Sequence, residues 1–296
     1  MPHTSDIEMN VTGQLADQID GFSGPFSTWI MHVPARVLFD AGEGISTWLG
    51  NRVFLPQAVF LTHAHYDHIG GLPGLLASRR SMRGTKNKPL TIYFPDNSEA
   101  YLRPVRDLAS SIVPGLNDFV LWQGLKAGDR VPVRNWFVEP FAAYHGVPAY
   151  GYRMLEQRKR LKLEFTNKSG SQIEQLRKSG VEITEYYEHV TFAITGDTGP
   201  GIDSDLIRNA DVLFHESTFV DEEERVGVLH ATMLEAFELA CTAGVKHLVL
   251  YHFSQRNSLI KIRNAASMLQ AQVNFTGRLT ILTGHARSGT VAYNQT

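Results

Sequence analysis

Apolar and polar positions follow two different periods along the chain, and each period predicts one type of element. Short runs rich in β-branched and aromatic residues predict strands, whereas apolar positions spaced three and four residues apart predict helices. The predicted strands are 29–33 and 36–40, paired around a turn at 34–35, and 58–62, 90–94, 119–122, 136–144, 150–154, 190–195, 212–215, 247–251, 278–282 and 289–293. One predicted helix begins near Leu75, and the other predicted helices are 98–112, 232–243 and 258–272.

Strand-like and helix-like segments are interspersed along the whole chain. This order predicts an α/β fold in which mixed sheets lie inside and helices cover them. No linker rich in Pro, Gly or Ser divides the 296 residues, and no repeat or low-complexity segment is present. We therefore predict a single domain, residues 1–296. The longest irregular, charge-rich region in this interpretation is 157–188.

The charges of the chain nearly cancel. The sequence has 28 Lys and Arg against 30 Asp and Glu, which gives a net charge of −2 with the histidines neutral. That balance is not the footprint of a nucleic-acid-binding protein. Basic runs at 79–88 and 158–162 are more typical of solvated faces, and they are weak indications of a phosphate-bearing partner.

The cysteine content and the N-terminal residues favour one cellular compartment. The single Cys241 falls in a helical pattern, where it packs as a small apolar residue, and no disulfide can form within the chain. The first residues lack the basic start and apolar core of a signal peptide, and no apolar run approaches the length of a membrane span. We expect a cytoplasmic protein without a membrane contact.

The densest chemistry lies in Thr-His-Ala-His-Tyr-Asp-His at 62–68, directly after the apolar run 58–61. Alternate residues of an extended segment point to one side, so His63 and His65 can share one metal ion. The turn that follows can direct Asp67 and His68 at a second ion. Imidazole and carboxylate together suit zinc or manganese. The glycines at 70–74 let the backbone turn tightly before the next helix.

Four side chains are too few for two ions, and three more candidates follow other apolar runs. They are His145 after 141–144, Asp197 after 192–196 and His252 after 248–251. Each of them alone could be a core or turn residue. Together they complete a shell of His63, His65 and His145 on one ion and of Asp67, His68 and His252 on the other, with Asp197 shared. A carboxylate has two oxygens and can bridge two cations about 3.5–4 Å apart.

At this point the chain resembles the metallo-β-lactamase superfamily, and within it the ribonuclease Z-like phosphodiesterases. The motifs that carry the resemblance are Phe-Asp-Ala-Gly-Glu-Gly at 39–44, the histidine run extended to Ile-Gly-Gly-Leu-Pro at 73, His-Gly-Val-Pro-Ala-Tyr-Gly-Tyr at 145–152, Thr-Gly-Asp-Thr at 195–198, His-Glu-Ser-Thr-Phe at 215–219, His-Ala-Thr at 230–232 and His-Phe-Ser-Gln-Arg at 252–256. The resemblance implies a four-layer αββα sandwich, two Zn²⁺ or Mn²⁺ ions and a homodimer.

The resemblance also implies roles outside the ligand shell. His230 is similar to the histidine that gives a proton to the leaving oxygen, Glu216 to the carboxylate that orients it, and Asp40 to a hydrogen-bond partner of a ligand imidazole. A structural reading, with His230 at the start of the helix near Thr232, stays open. Arg256 either contacts a phosphate oxygen or pairs with an acid. Two cations sharing Asp197 would bring the pKa of a water between them from about 15.7 toward neutrality, which favours phosphodiester hydrolysis.

The substrate depends on the interval between 153 and 195. Ribonuclease Z enzymes that process tRNA commonly carry a protruding arm rich in Gly, Pro and basic residues there, and this chain has no segment of that composition. Some short tRNA-processing enzymes share its Ser-Gln-Ile and Gly-Val-Glu-Ile-Thr pattern. We favour a cyclic mononucleotide substrate, as for the anti-Pycsar phosphodiesterases that the architecture resembles. The alternatives are tRNA 3′-end cleavage and a protein that binds a nucleotide without cleaving it.

Overall fold

The computed structural model describes residues 8–10, 14–16, 19–81 and 89–284, so the strand expected at 289–293 and most of the basic run at 79–88 lie outside the described residues. The described strands are β1 (Glu8–Asn10), β2 (Gln14–Ala16), β3 (Ile19–Gly24), β4 (Ser27–His32), β5 (Val37–Phe39), β6 (Ala58–Phe60), β7 (Leu90–Pro95), β8 (Val120–Leu125), β9 (Val131–Val133), β10 (Trp136–Ala142), β11 (Tyr150–Leu161), β12 (Thr184–Ile194), β13 (Val212–Glu216), β14 (His247–Tyr251) and β15 (Arg278–Leu282). The described α-helices are α1 (Ile45–Leu49), α2 (Tyr66–Ile69), α3 (Leu72–Ser81), α4 (Glu99–Ile112), α5 (Gly170–Lys178), α6 (Met233–Ala243) and α7 (Leu259–Gln272).

The strands form two mixed sheets. Among the described strands, one sheet has eight in the order β1-β15-β14-β13-β12-β11-β10-β9, and the other has seven in the order β2-β3-β4-β5-β6-β7-β8. Pairs such as β3 with β4 are antiparallel, whereas β5 with β6 and β13 with β14 are parallel. The parallel pairs place several carboxyl strand ends at one edge of each sheet. The predicted α/β class with mixed sheets is confirmed.

Alternating side chains divide the core into three layers. Val37 and Phe39 of β5 face the space between the sheets, while Leu38 faces α3 and α4 on the outside. In the same way Val249 of β14 faces the other sheet and Leu250 packs toward α6 and α7. Period-two burial of this kind is what a strand covered on both faces requires. The four-layer αββα sandwich that the resemblance implied is therefore present.

The expectation of an irregular region at 157–188 is wrong. Strand β11 continues to Leu161, α5 follows, and β12 begins at Thr184, so this part is an antiparallel hairpin with a helix at its end. We call residues 155–190 the ribbon. Its strands show no apolar period in the sequence because they pair through charged residues. Arg160 pairs with Glu185 across the hairpin at 2.8 Å, and Lys159 lies 4.7 Å from the ring of Tyr186. Helix α5 starts with a capping box at Ser169 but buries none of its side chains.

Cys241 lies half-buried in α6, with its Sγ 3.7 Å from the carbonyl oxygen of Val273, as its apolar setting suggested. Within the described ranges, no helix combines the length and apolar character that crossing a bilayer would require. The single domain over 1–296 remains a prediction.

Candidate metal centre

The predicted ligands all follow strands whose ends meet at one edge of the sandwich. His63 and His65 come after β6, and α2 carries Asp67 and His68 in its single turn. From the opposite sheet, His145 follows β10, Asp197 follows β12 and His252 follows β14. The structure brings all seven together, so the centre joins loops of both sheets.

The seven side chains fall into two groups that share Asp197. In the first group are His63, His65, His145 and Asp197, and in the second are Asp67, His68, Asp197 and His252, with the candidate ligand atoms of each group within 4.8 Å of one another. In the first group, Nδ1 of His65 lies 3.1 Å from Nε2 of both His63 and His145. In the second, Nε2 of His252 lies 3.2 Å from Oδ2 of Asp67 and of Asp197.

These distances fit two metal ions. Ligands about 2.0–2.1 Å from a tetrahedral zinc are roughly 3.3 Å from each other, the same separation as between the nitrogens and oxygens here. Buried Nε2 of His68 and Oδ1 of Asp197 lie 3.4 Å apart, yet neither has a hydrogen-bond partner among the described residues. Buried polar atoms are rarely left unpaired in a native fold. A cation bound by both atoms would satisfy them.

Asp40 binds the His68 imidazole through Nδ1, the ring nitrogen that does not belong to the ligand group. Its Oδ2 accepts a hydrogen bond from Nδ1 of His68 at 2.8 Å, and its two oxygens accept from the backbone N–H and the hydroxyl of Thr62 at 2.7 and 2.8 Å. Burial raises the pKa of the fully buried Asp40 carboxyl, against the lowering influence of His68. With its proton on Nδ1, His68 keeps the lone pair of Nε2 for a metal. The outer role of Asp40 stays a prediction, which these hydrogen bonds support.

Glu216 and His230 form a second feature beside the ligands. Nδ1 of His230 donates to Oε1 of the buried Glu216 at 2.9 Å, and the backbone N–H of Thr198 donates to the same oxygen. Burial alone would raise the pKa of Glu216, but the hydrogen bond and charge of His230 hold it at about 2. Burial lowers the pKa of His230, but the hydrogen bond and charge of Glu216, together with the charge of Asp197, leave that pKa raised. Glu216 thus favours the protonated form of the His230 ring, which is stacked 5.6 Å from the ring of His252.

Thr218 was missed by sequence reasoning. Its hydroxyl lies 2.7 Å from Oε2 of Glu216, 3.2 Å from Nδ1 of His230 and 3.0 Å from Nδ1 of His252. It donates to Glu216 and accepts from His252, which leaves Nε2 of His252 free to bind metal. The signal in the sequence was a threonine two residues after a carboxylate, where Oε2 of Glu216 also accepts from the backbone N–H of Thr218 at 3.0 Å. Thr62, whose hydroxyl is 3.0 Å from Nδ1 of His63, was missed in the same way.

Arg256 is not brought into this cluster. It is exposed, and the described residues that line the cleft beside the centre include its neighbour Gln255 instead. The cleft has a volume of about 370 Å³ and begins at Asp67 and His252. Its other lining residues come from the β3–β4 turn, Tyr66, Thr218, the segment after His252 and the end of β15.

The remaining described histidines contact groups other than the ligands. Nδ1 of His215 lies 2.6 Å from the carbonyl oxygen of Glu216, Nε2 of His189 lies 2.8 Å from Asp211, and Nε2 of His247 lies 2.9 Å from the hydroxyl of Thr280. His32 packs between the sheets, with its ring 5.4 Å from that of Trp136. These contacts place the four histidines in structural hydrogen bonds, ion pairs and ring packing outside the ligand groups. His215 supports Glu216 through the backbone and not through the carboxylate.

Comparison with known proteins places the chain in a family. Residues 35–253 match the model of the beta-lactamase superfamily domain. The chain is 34% identical to the chloroplastic tRNase Z TRZ2 of Arabidopsis thaliana, over 86% of this chain and 73% of that protein. It is 32% identical to tRNase Z TRZ1 of the same plant, over 90% of this chain and 94% of that protein.

Solved structures share the fold at lower identity. The metallo-beta-lactamase fold protein YhfI of Bacillus subtilis superimposes with a TM-score of 0.62 at 20% identity, covering 91% of this chain and 95% of that one. The short form of human tRNase Z, ELAC1, has a TM-score of 0.56 at 22% identity, covering 80% and 92%. The chain thus belongs to the metallo-β-lactamase superfamily, and within it to the ribonuclease Z-like metal-dependent phosphodiesterases.

Proposed function

We propose that this phosphodiesterase is a two-zinc endonuclease that cleaves the 3′ end of precursor tRNA. The observation that carries the proposal is the junction of two ligand groups with the Glu216–His230 pair in one cluster. The relatives that cover most of the chain bear the names tRNase Z and ribonuclease Z, which supports an RNA substrate. None of these names supports the cyclic mononucleotide that the sequence alone favoured.

The proposed chemistry divides between the ions and the protein. When bound by the two ligand groups, Zn²⁺ or Mn²⁺ lowers the pKa of water and neutralises negative charge on the phosphoryl group. Glu216 holds His230 and raises its pKa, so a protonated His230 can give its proton to the departing oxygen, a step worth roughly 100-fold to 10,000-fold. Glu216 keeps the imidazole in one orientation. Zinc is the proposed ion because imidazoles make up five of the seven ligands, and manganese is the alternative.

A substrate panel tests the proposal. Protein loaded with Zn²⁺ or with Mn²⁺ is incubated with a 3′-extended precursor tRNA, and with cyclic CMP, cyclic UMP and cyclic AMP, and the products are separated. We expect endonucleolytic cleavage of the precursor at one position. Asp67→Ala is expected to abolish it, because Asp67 is a ligand of the second group. Turnover of a cyclic nucleotide alone would overturn the tRNA proposal, and tight binding without turnover would support nucleotide capture.

The cyclic mononucleotide stays a second candidate for one reason. The cleft of about 370 Å³ beside Asp67 and His252 is at the small end of the range for small-molecule sites, and it has room for a single nucleotide. The same panel separates the two candidates. A cyclic nucleotide with the higher kcat/KM would make it the substrate.

His230→Ala tests the proposed acid. An alkoxide is a poor leaving group and needs a proton, whereas 4-nitrophenolate does not. We expect kcat for precursor tRNA to fall by roughly 100-fold or more, with a much smaller loss for a 4-nitrophenyl phosphodiester. An equal loss with both substrates would show that His230 acts on structure or on metal binding.

We also propose that the protein forms a homodimer. Helix α4 exposes Tyr101, Leu108 and Ile112, each about half accessible, and these positions share one face of the helix. An apolar stripe of this kind is typical of an interface. Sedimentation velocity is expected to give twice the mass of 33.1 kDa, and Leu108→Glu is expected to give the single mass. A monomer in the unaltered protein would contradict this proposal.

A further inference from the structure

The cleft beside the metal centre has a chemical character of its own. Apart from the ligands Asp67 and His252, none of its described lining residues carries a charge at neutral pH. A wall without Lys or Arg is a poor place for a second phosphate, since phosphate contacts in nucleic-acid complexes come largely from cations. The cleft is therefore suited to an uncharged part of a nucleotide.

Two aromatic side chains at the cleft are largely exposed to solvent. Phe26 is 65% exposed and Tyr66 is 56% exposed. Phe26 lies in the turn between β3 and β4, where its backbone oxygen accepts from the N–H of Glu43 at 3.0 Å. This hydrogen bond fixes the backbone of the turn that carries the Phe26 ring. Exposed aromatic rings at a nucleic-acid site provide faces on which bases stack.

Tyr66 is held in place by its position in the metal-binding turn. It lies between the ligands His65 and Asp67, and its ring packs against the backbone at Gly70, where a Cβ atom would come within 2.8 Å of the ring. Only glycine leaves room for this contact. One part of the ring is thus fixed against the backbone, while more than half of the residue remains accessible. Little conformational entropy is lost when a base packs on it.

From these contacts we infer that the cleft binds the nucleobase next to the scissile phosphate, and that Phe26 and Tyr66 select nucleotide esters by stacking on that base. The inference deepens the proposed function and rests on it. Since Asp67 and His252 are both ligands and cleft residues, a base in the cleft places its own phosphate at the ions. Ser254 and Gln255 at the cleft wall offer hydrogen-bonding groups to the base edge.

Two esters with the same leaving group test the inference. Uridine 5′-(4-nitrophenyl phosphate) contains a base, and methyl 4-nitrophenyl phosphate does not, so the ratio of their kcat/KM values isolates the contribution of the nucleoside. We expect the unaltered, metal-loaded protein to favour the uridine ester. Phe26→Ala is expected to lower the ratio about tenfold, in keeping with the loss of one base–aromatic contact, and Phe26→Tyr to restore it.

Phe137→Ala is the matched control. Phe137 is also a partly exposed phenylalanine, at 38%, but it lies on β10 beneath Arg130 and does not line the cleft. Its replacement is expected to leave the ratio unchanged. A ratio that is the same in Phe26→Ala, Tyr66→Ala and the unaltered protein would overturn the inference.

A binding measurement separates this inference from the proposed function. Calorimetry compares UMP with ribose 5-phosphate on the metal-loaded protein, and we expect tighter binding of UMP that is weakened about tenfold in Phe26→Ala. Base-dependent binding without hydrolysis of any ester would contradict the endonuclease and support the cleft. Hydrolysis with equal binding of the two phosphates would contradict the cleft and leave the endonuclease standing.

Discussion

At the scale of single residues, Thr218 connects the two chemical parts of the centre. One hydroxyl contacts Glu216, which orients the proposed acid His230, and also His252, a ligand of the second group. A change at this atom therefore affects metal binding and proton transfer together.

Thr218→Val is expected to lower both kcat and the affinity for the second ion by roughly 10-fold to 100-fold, because valine has the same shape without the hydroxyl. Thr218→Ser keeps the hydroxyl and is expected to recover most of both. Metal content by mass spectrometry and kcat at saturating zinc are the measurements. A loss of kcat in Thr218→Ser as large as in Thr218→Val would show that shape, and not the hydroxyl, matters.

His32 predicts a pH dependence of stability away from the metal. Burial between the sheets lowers its pKa from 6.5 to about 4, despite an opposing backbone hydrogen bond. The unfolded chain therefore binds a proton at a pH where the folded protein does not. Folding stability from this residue is complete above pH 6.5 and is lost as the pH falls toward 4, by about 3 kcal/mol in all.

His32→Asn removes the titration but keeps an acceptor for the N–H of Ala35, which donates to Nδ1 of His32 at 3.2 Å. Urea unfolding with a chelator present, at pH 7.5 and at pH 4.5, measures the effect. We expect the unaltered protein to lose more unfolding free energy on acidification than the variant does. Equal losses in both proteins would contradict the prediction.

At the scale of elements, strand ends explain why the sequence predicts that these candidate ligands lie together. His63, His145, Asp197 and His252 each follow an apolar run, and the runs themselves are visible in the sequence. The ribbon was not predictable in this way, since its strands pair through charged and aromatic side chains and lack an apolar face. Strand β9 was missed because three residues are too few to show a period.

The ribbon is expected to contribute little to stability, because α5 buries none of its side chains. Replacing residues 162–183 with Asn-Gly closes the hairpin with a two-residue turn and is expected to change Tm by less than about 4 °C. Phe192→Ala, in the buried half of the same strand β12, is expected to lower Tm by roughly 10 °C. Thermal unfolding measures Tm for both variants. A similarly large loss of Tm in both would contradict the division of the hairpin into a buried half and an outer half that adds little stability.

At the scale of the whole molecule, the ions would join the two sheets. His63, His65, Asp67 and His68 belong to loops of the seven-stranded sheet, and the other three ligands to loops of the eight-stranded sheet. Metal bound to the folded protein alone stabilises it by mass action, by about 4 kcal/mol at a thousandfold excess over Kd. We expect EDTA to lower Tm by roughly 10 °C and added zinc to restore it.

Asp197→Asn is the control for the chelation experiment. The substitution keeps the size of a buried side chain that both ligand groups share, and it removes the charge that holds two cations. The Tm of this variant is expected to respond much less to EDTA. A Tm of the unaltered protein that is the same with zinc and with EDTA would contradict a stabilising centre.

The order of the ligands along the chain also sets a delay during synthesis. His252 lies 185 residues after Asp67, with which it shares the second group. A ribosome that adds roughly 5–20 residues per second needs about ten to forty seconds to cover that distance. Throughout this time the nascent chain already displays the histidine run, and His145 and Asp197 are added on the way, but the second group stays incomplete until His252 is made. The intact centre is thus one of the last features that a newly made molecule can acquire.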